Sequence, residues 1–167
     1  MDEPLEKPHS KNLRTYRRAD GGGFYFITKS LEPKKRVIGP AMAEFICNSW
    51  LHYAGKGEIR LAAFVVMLDH WHLLLAPLNP EGIVMWMRKS VRWIGRNTNA
   101  ELKRHGCVWQ EGFYDTFIRT ERQFFFVRHY IEANPVRANF VRESHEWEWS
   151  SAHPRWKECL YRPGEGV

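Results

Sequence analysis

The sequence predicts an α+β fold whose elements follow the order β-α-β-β-α-β of a ferredoxin-like domain, with one further helix after it. Segments of strand length, rich in aromatic and β-branched residues, alternate with longer segments whose apolar residues recur every three or four positions. The two central strands are separated by only two residues, which predicts an antiparallel hairpin. We therefore expect an antiparallel sheet with helices on one face, followed by the further helix and a C-terminal extension.

The first three elements follow a run of glycines. Gly21 to Gly23 precede a strand from Phe24 to Ser30, which is rich in aromatic and β-branched residues. A helix begins at Pro40 and reaches about Ala54, since its apolar residues have the spacing of one helical face. Gly55 to Gly57 then turn the chain into a second strand, from Ile59 to about Met67.

A hairpin and a long helix form the centre of the predicted domain. Leu68 and Asp69 connect to a strand from His70 to Ala76, and a helix follows from Gly82 to about Arg104. This helix carries an apolar stripe and, on another side, a row of arginines that is either a solvated face or a phosphate-binding one: Arg88, Arg92 and Arg96. Three tryptophans of the chain are assigned to packing: Trp50, Trp86 and Trp93.

The last two elements follow Gly106, which ends the predicted long helix. The later part of Cys107 to Arg119 alternates well enough to predict a fourth strand. Thr120 is a suitable N-cap for a helix from Glu121 to roughly Ala133. Because a residue before proline is pushed out of the helical region, we expect Asn134 and Pro135 to end this helix.

One domain accounts for the whole organisation. Residues 1–20 are polar and charged and are predicted to form a flexible basic arm, residues 21–135 the domain with its last helix, and residues 136–167 a C-terminal extension of the same domain. No apolar run is long enough to span a membrane. The opening residues lack a secretory pattern. The three cysteines are widely spaced and show no metal or disulfide pattern: Cys47, Cys107 and Cys159. We therefore expect a reduced, cytoplasmic protein.

The charge of the chain favours a polyanionic partner. It holds 25 Lys and Arg against 19 Asp and Glu, for a net charge of +6 and a pI near 9.4. Such a balance is typical of nucleic-acid-binding proteins. It is weaker as a signal for a membrane surface, because no basic amphipathic segment stands apart from the predicted fold.

Two histidines are the first candidates for chemistry. His70 and His72 are two positions apart on a predicted strand, so both imidazoles lie on one face and could hold a metal ion. By itself this pattern more often belongs to two ordinary strand histidines. Tyr130 and Asn134 are four apart on the last helix, so they also share a face as a candidate nucleophile and ligand. Taken alone, a tyrosine at such a position is more often part of a core or its rim.

These pieces together match a known family. The segments H-W-H-L-L-L at 70–75, V-W-Q-E-G-F at 108–113 and Y-I-E-A-N-P-V-R-A-N-F-V at 130–141 resemble the REP-associated tyrosine transposases, as does the opening G-G-F-Y-F-I-T at 22–28. These are relatives of the single-tyrosine transposases of small bacterial insertion sequences, within the HUH nucleases, which are named for a His-hydrophobic-His motif. The resemblance runs from about Gly22 to Ser151.

The resemblance implies a role for each motif residue. His70 and His72 match the metal-binding pair, Tyr130 matches the nucleophile, and Asn134 matches the third ligand, where the insertion-sequence relatives carry glutamine. Leu68 departs from the proline that is more common before the Asp-His pair, but it belongs to the turn and not to the chemistry.

The implied reaction is DNA strand transfer. A divalent ion, Mg²⁺ or Mn²⁺, suits two imidazoles and an amide with open positions for phosphate oxygens, and it would polarise the phosphoryl group. Attack by the tyrosine leaves a 5′-phosphotyrosine and a free 3′-hydroxyl, and this linkage keeps the bond energy for rejoining. The expected substrate is single-stranded DNA folded into the hairpins of repetitive extragenic palindromes, in the cytoplasm and associated with the nucleoid.

Basic and aromatic side chains are available for such a substrate. Trp109, Tyr114 and Trp149 are candidates for stacking on unpaired bases. The candidates for phosphate contacts are spread along the chain: Arg14, Arg17, Arg18, Lys34, Lys35, Arg36, Arg88, Arg92, Arg96 and Arg137.

Two other functions compete with strand transfer. A non-catalytic RNA-recognition-like module has the same element order, but it leaves the histidine pair, Tyr130 and Asn134 unexplained. A metal hydrolase that activates water would need no Tyr130. The sequence is compatible with a monomer or a homodimer, and it leaves open whether Tyr130 acts with its own histidine pair or with that of a partner.

Overall fold

The computed structural model describes residues 23–33, 37–101 and 103–163. Its elements follow the predicted order, with two short 3₁₀ helices after the last α-helix. The strands are β1 (Tyr25–Ser30), β2 (Ile59–Val66), β3 (His70–Pro77) and β4 (Tyr114–Phe117), and the helices are α1 (Pro40–Gly55), α2 (Gly82–Glu101) and α3 (Glu121–Arg137). The 3₁₀ helices span Ser144–Glu146 and Pro154–Cys159.

The four strands form one antiparallel sheet in the order β2-β3-β1-β4. The predicted hairpin of β2 and β3 is present, and β1 lies between β3 and β4. The α+β class and the ferredoxin-like order predicted from the sequence are therefore confirmed.

The larger core lies between the sheet and α1 with α2. Alternate side chains of β3, such as Trp71, Leu73 and Leu75, enter it, as period-two alternation requires. Trp50 of α1 packs edge-on against Trp71, with ring centroids 5.2 Å apart. The two helices that belong to the ferredoxin-like order therefore lie on one face, as predicted.

The assignment of all three tryptophans to packing was wrong for one of them. Trp50 and Trp86 are buried, but Trp93 is 52% exposed. Trp93 lies at the margin of the α2 stripe, beside the exposed Arg92 and Arg96. Helical periodicity indicates the centre of a buried stripe, but its width depends on what packs against it.

The third helix lies on the opposite face of the sheet. Phe124, Val127 and Ile131 of α3 form a second core with the other side chains of β2 and β3, among them Val65 and Leu74. A register shift in β2 between Leu61 and Ala63 turns small alanine side chains toward this helix. The face that carries α3 is therefore the face opposite to α1 and α2.

Two helix ends differ from the sequence-based prediction. α2 ends at Glu101 and not at about Arg104, since Lys103 adopts the left-handed conformation that terminates a helix, with φ 49°. α3 continues through Asn134 and Pro135 to Arg137, so the prediction that these residues end it was wrong.

Position explains why α3 tolerates its proline. Pro135 costs one backbone hydrogen bond, to the carbonyl of Ile131 four residues earlier. The loss falls in the last turn, where Ala138 N–H closes the helix on the carbonyl of Asn134 at 3.0 Å. The ring of Pro135 is also buried, so its packing offsets the local preference against a helical Asn134.

The chain after α3 runs along the outer edge of β2. The N–H of Val66 donates to the carbonyl of Trp149 at 2.9 Å, and the N–H of Ser151 donates to the carbonyl of Phe64 at 2.9 Å. Ser151 Oγ also donates to Glu132 on α3 at 3.0 Å. These bonds pair backbone polar groups of β2, an edge strand that would otherwise expose them, and they connect α3 to the sheet.

Across the residues that the structure describes, no helix is both long and apolar enough to cross a membrane.

Lys29 of β1 is a buried cation with a structural role. Its Nζ donates to the carbonyls of Gln110 and Gly112, in the segment that leads into β4. Burial lowers the pKa of Lys29 to about 8, although the nearby Cys107 and Glu111 act in the opposite direction.

Lys29→Met is expected to lower the free energy of unfolding by about 2 kcal/mol, since it removes the hydrogen bonds of a charged donor to the carbonyls of Gln110 and Gly112. Urea denaturation measures this loss. The control is Lys89→Met, which removes a surface ion pair with Glu58 and should cost less than about 1 kcal/mol. Equal stability of the two variants would show that the Lys29 bonds do not support the fold.

Candidate active site

The two histidines of β3 point toward the face that carries α3. Their ring centroids are 4.8 Å apart. His72 is buried, with 6% of its surface exposed, whereas His70 is half-buried nearer the end of the sheet. The predicted pairing of these imidazoles on one face is what the strand geometry produces.

His72 is held by a side chain of the neighbouring strand. Thr28 lies opposite His72 in the antiparallel register of β1 and β3, and Thr28 Oγ1 is 2.8 Å from His72 Nδ1. Burial, and then the nearby His70, lowers the pKa of His72 to about 3. The imidazole is therefore neutral at physiological pH and keeps a lone pair for a ligand.

His70 is held by the residue before it. Asp69 Oδ1 is 2.7 Å from His70 Nδ1. A carboxylate can only accept, so Nδ1 of His70 carries the proton of this bond. Both histidines thus use Nδ1 within the protein, and the atom left for a metal is Nε2 in each.

Tyr130 lies beside this pair within the same chain. Its ring centroid is 5.8 Å from that of His72 and 5.8 Å from that of Phe26. The ring is half-buried against the smaller core, so α3 presents a phenol next to a neutral imidazole.

Asn134 lies one turn after Tyr130, as its spacing predicts. Its Nδ2 donates to the carbonyl of Tyr130 at 2.9 Å. This bond uses the amide nitrogen and leaves Oδ1 as the atom for a ligand. Within the described ranges, no group of three or more His, Cys, Asp or Glu side chains could hold a metal, so the amide is the candidate that completes a set with the histidines.

Arg137, the last residue of α3, extends the site to the end of the helix. Its Cζ lies 4.9 Å from the centroid of the Tyr130 ring. The side chain is exposed, so its guanidinium remains accessible to an anion beside the tyrosine. Of the basic residues predicted to meet phosphates, Arg137 is the one whose contact with Tyr130 the structure describes.

The other predicted phosphate contacts lie elsewhere. Three of them are exposed on α2, which packs on the face of the sheet opposite to the histidines: Arg88, Arg92 and Arg96. The remaining six lie outside the described residues: Arg14, Arg17, Arg18, Lys34, Lys35 and Arg36.

The aromatic candidates for base stacking differ in their exposure to solvent. Trp109 is buried and Trp149 is half-buried against the larger core, so neither offers an open ring. Tyr114 is 54% exposed.

Sequence reasoning missed the two residues that orient the histidines. Asp69 stood next to the motif and could have been noticed as a hydrogen-bond acceptor. Thr28 could not have been found from spacing, because it is 44 positions from His72 and meets it only through the sheet register.

Comparisons with known proteins find a family and relatives that are similar to this chain. Residues 25–134 match a sequence model of the family described as "Transposase IS200 like", a range that begins at β1 and ends at Asn134. A REP-associated tyrosine transposase of Escherichia coli is 24% identical over 147 residues, which cover 84% of this chain and 82% of that protein. A Haemophilus influenzae protein assigned to the same group is 26% identical over 161 residues, covering 89% of this chain and 91% of that protein.

A solved structure has the same fold. It is that of a REP-associated tyrosine transposase bound to a REP hairpin, and it is similar with a TM-score of 0.68 at 20% sequence identity. The similarity covers 87% of this chain and 86% of that one.

Proposed function

Because this chain belongs to the family of IS200-like transposases, whose members nick and join DNA through one tyrosine, we propose that it cuts and rejoins single-stranded DNA through Tyr130. The observation that carries the proposal is the contact between Tyr130 and His72, whose rings are 5.8 Å apart within one chain. A tyrosine on a helix and a histidine pair on a strand are brought together although 58 positions, from 72 to 130, separate them.

The donor set fits a divalent cation. His72 is neutral, Nδ1 of both His70 and His72 is engaged, and the amide oxygen of Asn134 accepts no hydrogen bond from a residue that the structure describes. Bound there, Mg²⁺ or Mn²⁺ would withdraw charge from a phosphoryl oxygen and orient the phosphate. Asp69 would keep the imidazole of His70 in the tautomer that offers Nε2, and Thr28 would do the same for His72 when its hydroxyl accepts the Nδ1 proton.

The chain's own residues account for the covalent step. Tyr130 Oη attacks the phosphorus and its proton passes to water, while the bond from phosphorus to the 3′-oxygen breaks and that oxygen takes a proton from water. The products are a 5′-phosphotyrosine and a 3′-hydroxyl. Arg137 stands beside the ring of Tyr130 and supplies positive charge for the phosphate oxygens. Attack of a 3′-hydroxyl on the phosphotyrosine reverses the step and joins the strands.

The proposed substrate is single-stranded DNA folded as a hairpin, of the kind formed by repetitive extragenic palindromes. Two relatives carry REP in their names, and a structure of similar fold holds a REP hairpin. The net charge of +6 fits a polyanion. We propose that the exposed arginines of α2 and the basic residues at 14–18 and 34–36 meet its phosphates. We propose that the protein acts on this DNA at the nucleoid, in the cytoplasm.

A covalent-adduct assay tests the function. The protein is incubated with labelled hairpin oligonucleotides that have unpaired flanks, and the products are separated on a denaturing protein gel. We expect a labelled protein band that requires Mg²⁺ or Mn²⁺ and is absent with a chelator. DNA that binds and is never attached or cut would instead favour a binding module, and cutting without attachment would favour a hydrolase that uses water.

Thr28→Val is expected to weaken Mn²⁺ binding by roughly 10- to 100-fold, because residues that orient metal-binding histidines have effects of this size. Titration calorimetry of the DNA-free protein measures the change. Thr116→Val is the matched control, since Thr116 lies on the same face of neighbouring β4, two register pairs further from the histidines. Unchanged Mn²⁺ affinity in Thr28→Val would show that Thr28 does not orient His72 for metal binding.

A further inference from the structure

Part of the histidine-bearing face is open to solvent. α3 packs over β2 and β3 and leaves the same face of β1 and β4 partly uncovered. The burial pattern of β1 shows this, because its residues alternate between fully buried on the α1 and α2 side and half-buried on the α3 side. We call the uncovered area the shelf, and it is formed by Phe26, Thr28, Ser30, Tyr114 and Thr116.

Tyr114 is the exposed ring of the shelf. It pairs with Thr28 in the register of β1 and β4, and Thr28 pairs with His72 in the register of β1 and β3. His72, Thr28 and Tyr114 therefore form a row across three strands. Two interstrand spacings place the backbone of Tyr114 about 10 Å from that of His72.

The chemistry of the shelf suits a nucleobase. Its side chains are aromatic rings and hydroxyls, without a charge, so it offers stacking and hydrogen bonds but nothing to hold a phosphate. One cationic group lies at its margin, because Arg137 stands over the ring of Tyr130, which packs against Phe26 of the shelf. A strand whose phosphate lies at Tyr130 would carry its neighbouring base over the shelf.

We propose that Tyr114 is the stacking platform for an unpaired base close to the phosphate that Tyr130 attacks. The assignment rests on the proposed function for the position of that phosphate. A protein strand is a poorer occupant, because β4 has four residues and offers a short edge. An apolar protein surface is also a poorer fit, because three of the five shelf residues carry aliphatic hydroxyls.

The test measures binding without chemistry, in a Tyr130→Phe background. The probe is an imperfect-palindrome hairpin with unpaired flanks, together with a series in which one flanking nucleotide at a time is abasic. Tyr114→Ala is expected to weaken binding of the intact probe roughly five- to hundredfold, the range for loss of one stacked base. Tyr114→Phe should bind like its parent, since stacking needs the ring and not the hydroxyl.

The abasic series identifies the base. At one flanking position, loss of the base should weaken the parent by the same factor as Tyr114→Ala, and the two changes together should cost no more than either alone. Full affinity of Tyr114→Ala for the intact probe would overturn the proposal. The proposal would also be overturned if Tyr114→Ala weakened binding by the same factor at every abasic position.

Controls separate the alternatives. Trp93→Ala removes a ring that is 52% exposed on the other side of the sheet, and its effect should not depend on which flank base is missing. Sedimentation without DNA shows whether Tyr114→Ala changes self-association, and such a change would assign the shelf to a second copy and overturn the proposal. Absence of an adduct with intact Tyr114 would count against the proposed function alone, because the stacking test does not use cleavage.

Discussion

Tyr130→Phe is expected to abolish the covalent DNA adduct and strand cleavage. Hairpin binding should stay within about twofold of the parent, because the change removes one hydroxyl and no basic side chain. Removal of a nucleophile typically costs on the order of 10⁶ in rate, which places the product below detection. The substitution removes one oxygen and keeps the ring that packs on Phe26 and His72. Denaturing gels measure attachment, and fluorescence anisotropy measures binding.

Tyr161→Phe is the matched control for this variant. Tyr161 packs against Phe24 in the same smaller core, with ring centroids 5.2 Å apart, at a distance from the histidines. It should form the adduct at the parental rate. An adduct that persists in Tyr130→Phe would mean that another side chain is the nucleophile.

His72→Ala is expected to lose metal binding and cleavage together. The change removes a buried imidazole, and Mn²⁺ affinity should fall at least about 100-fold, because changes to the partners of such ligands already cost 10- to 100-fold. Calorimetry measures the affinity, and the adduct assay at saturating DNA measures cleavage. Binding of the hairpin should remain, since His72 is largely covered by protein.

His129→Ala controls for loss of a histidine near the site. His129 precedes Tyr130 on α3 and is exposed, so both metal binding and cleavage should be retained. Thermal melting of His72→Ala distinguishes an unfolded protein from a folded protein without its metal. Intact cleavage by a folded His72→Ala variant would show that cleavage does not depend on this metal site.

Mixing the two inactive variants tests whether the site is contained in one chain. Tyr130 and His72 are in contact within a single chain, which favours their use together. Tyr130→Phe mixed with His72→Ala should therefore form no adduct. Recovery of activity in the mixture would show that the tyrosine of one subunit works with the histidines of another.

Local patterns predicted most of the fold and the grouping of the candidate site residues. The alternation along β3 placed His70 and His72 on one face, and the four-residue spacing on α3 placed Tyr130 and Asn134 on one side. The same reasoning failed at Pro135 and Trp93, because burial of the proline ring and the width of a buried stripe depend on neighbours that are distant in sequence.

The sequence by itself determined the order of the elements and which residues share a face, since periods of 2 and 3.6 residues are local properties of the chain. Only the tertiary structure decided that α3 crosses the histidine face, that Thr28 lies beside His72, and that Tyr114 continues their row. It also placed the arginine row of α2 on the opposite side of the sheet. Strand register and the choice of a face depend on packing between segments more than 40 positions apart, and no local period encodes them.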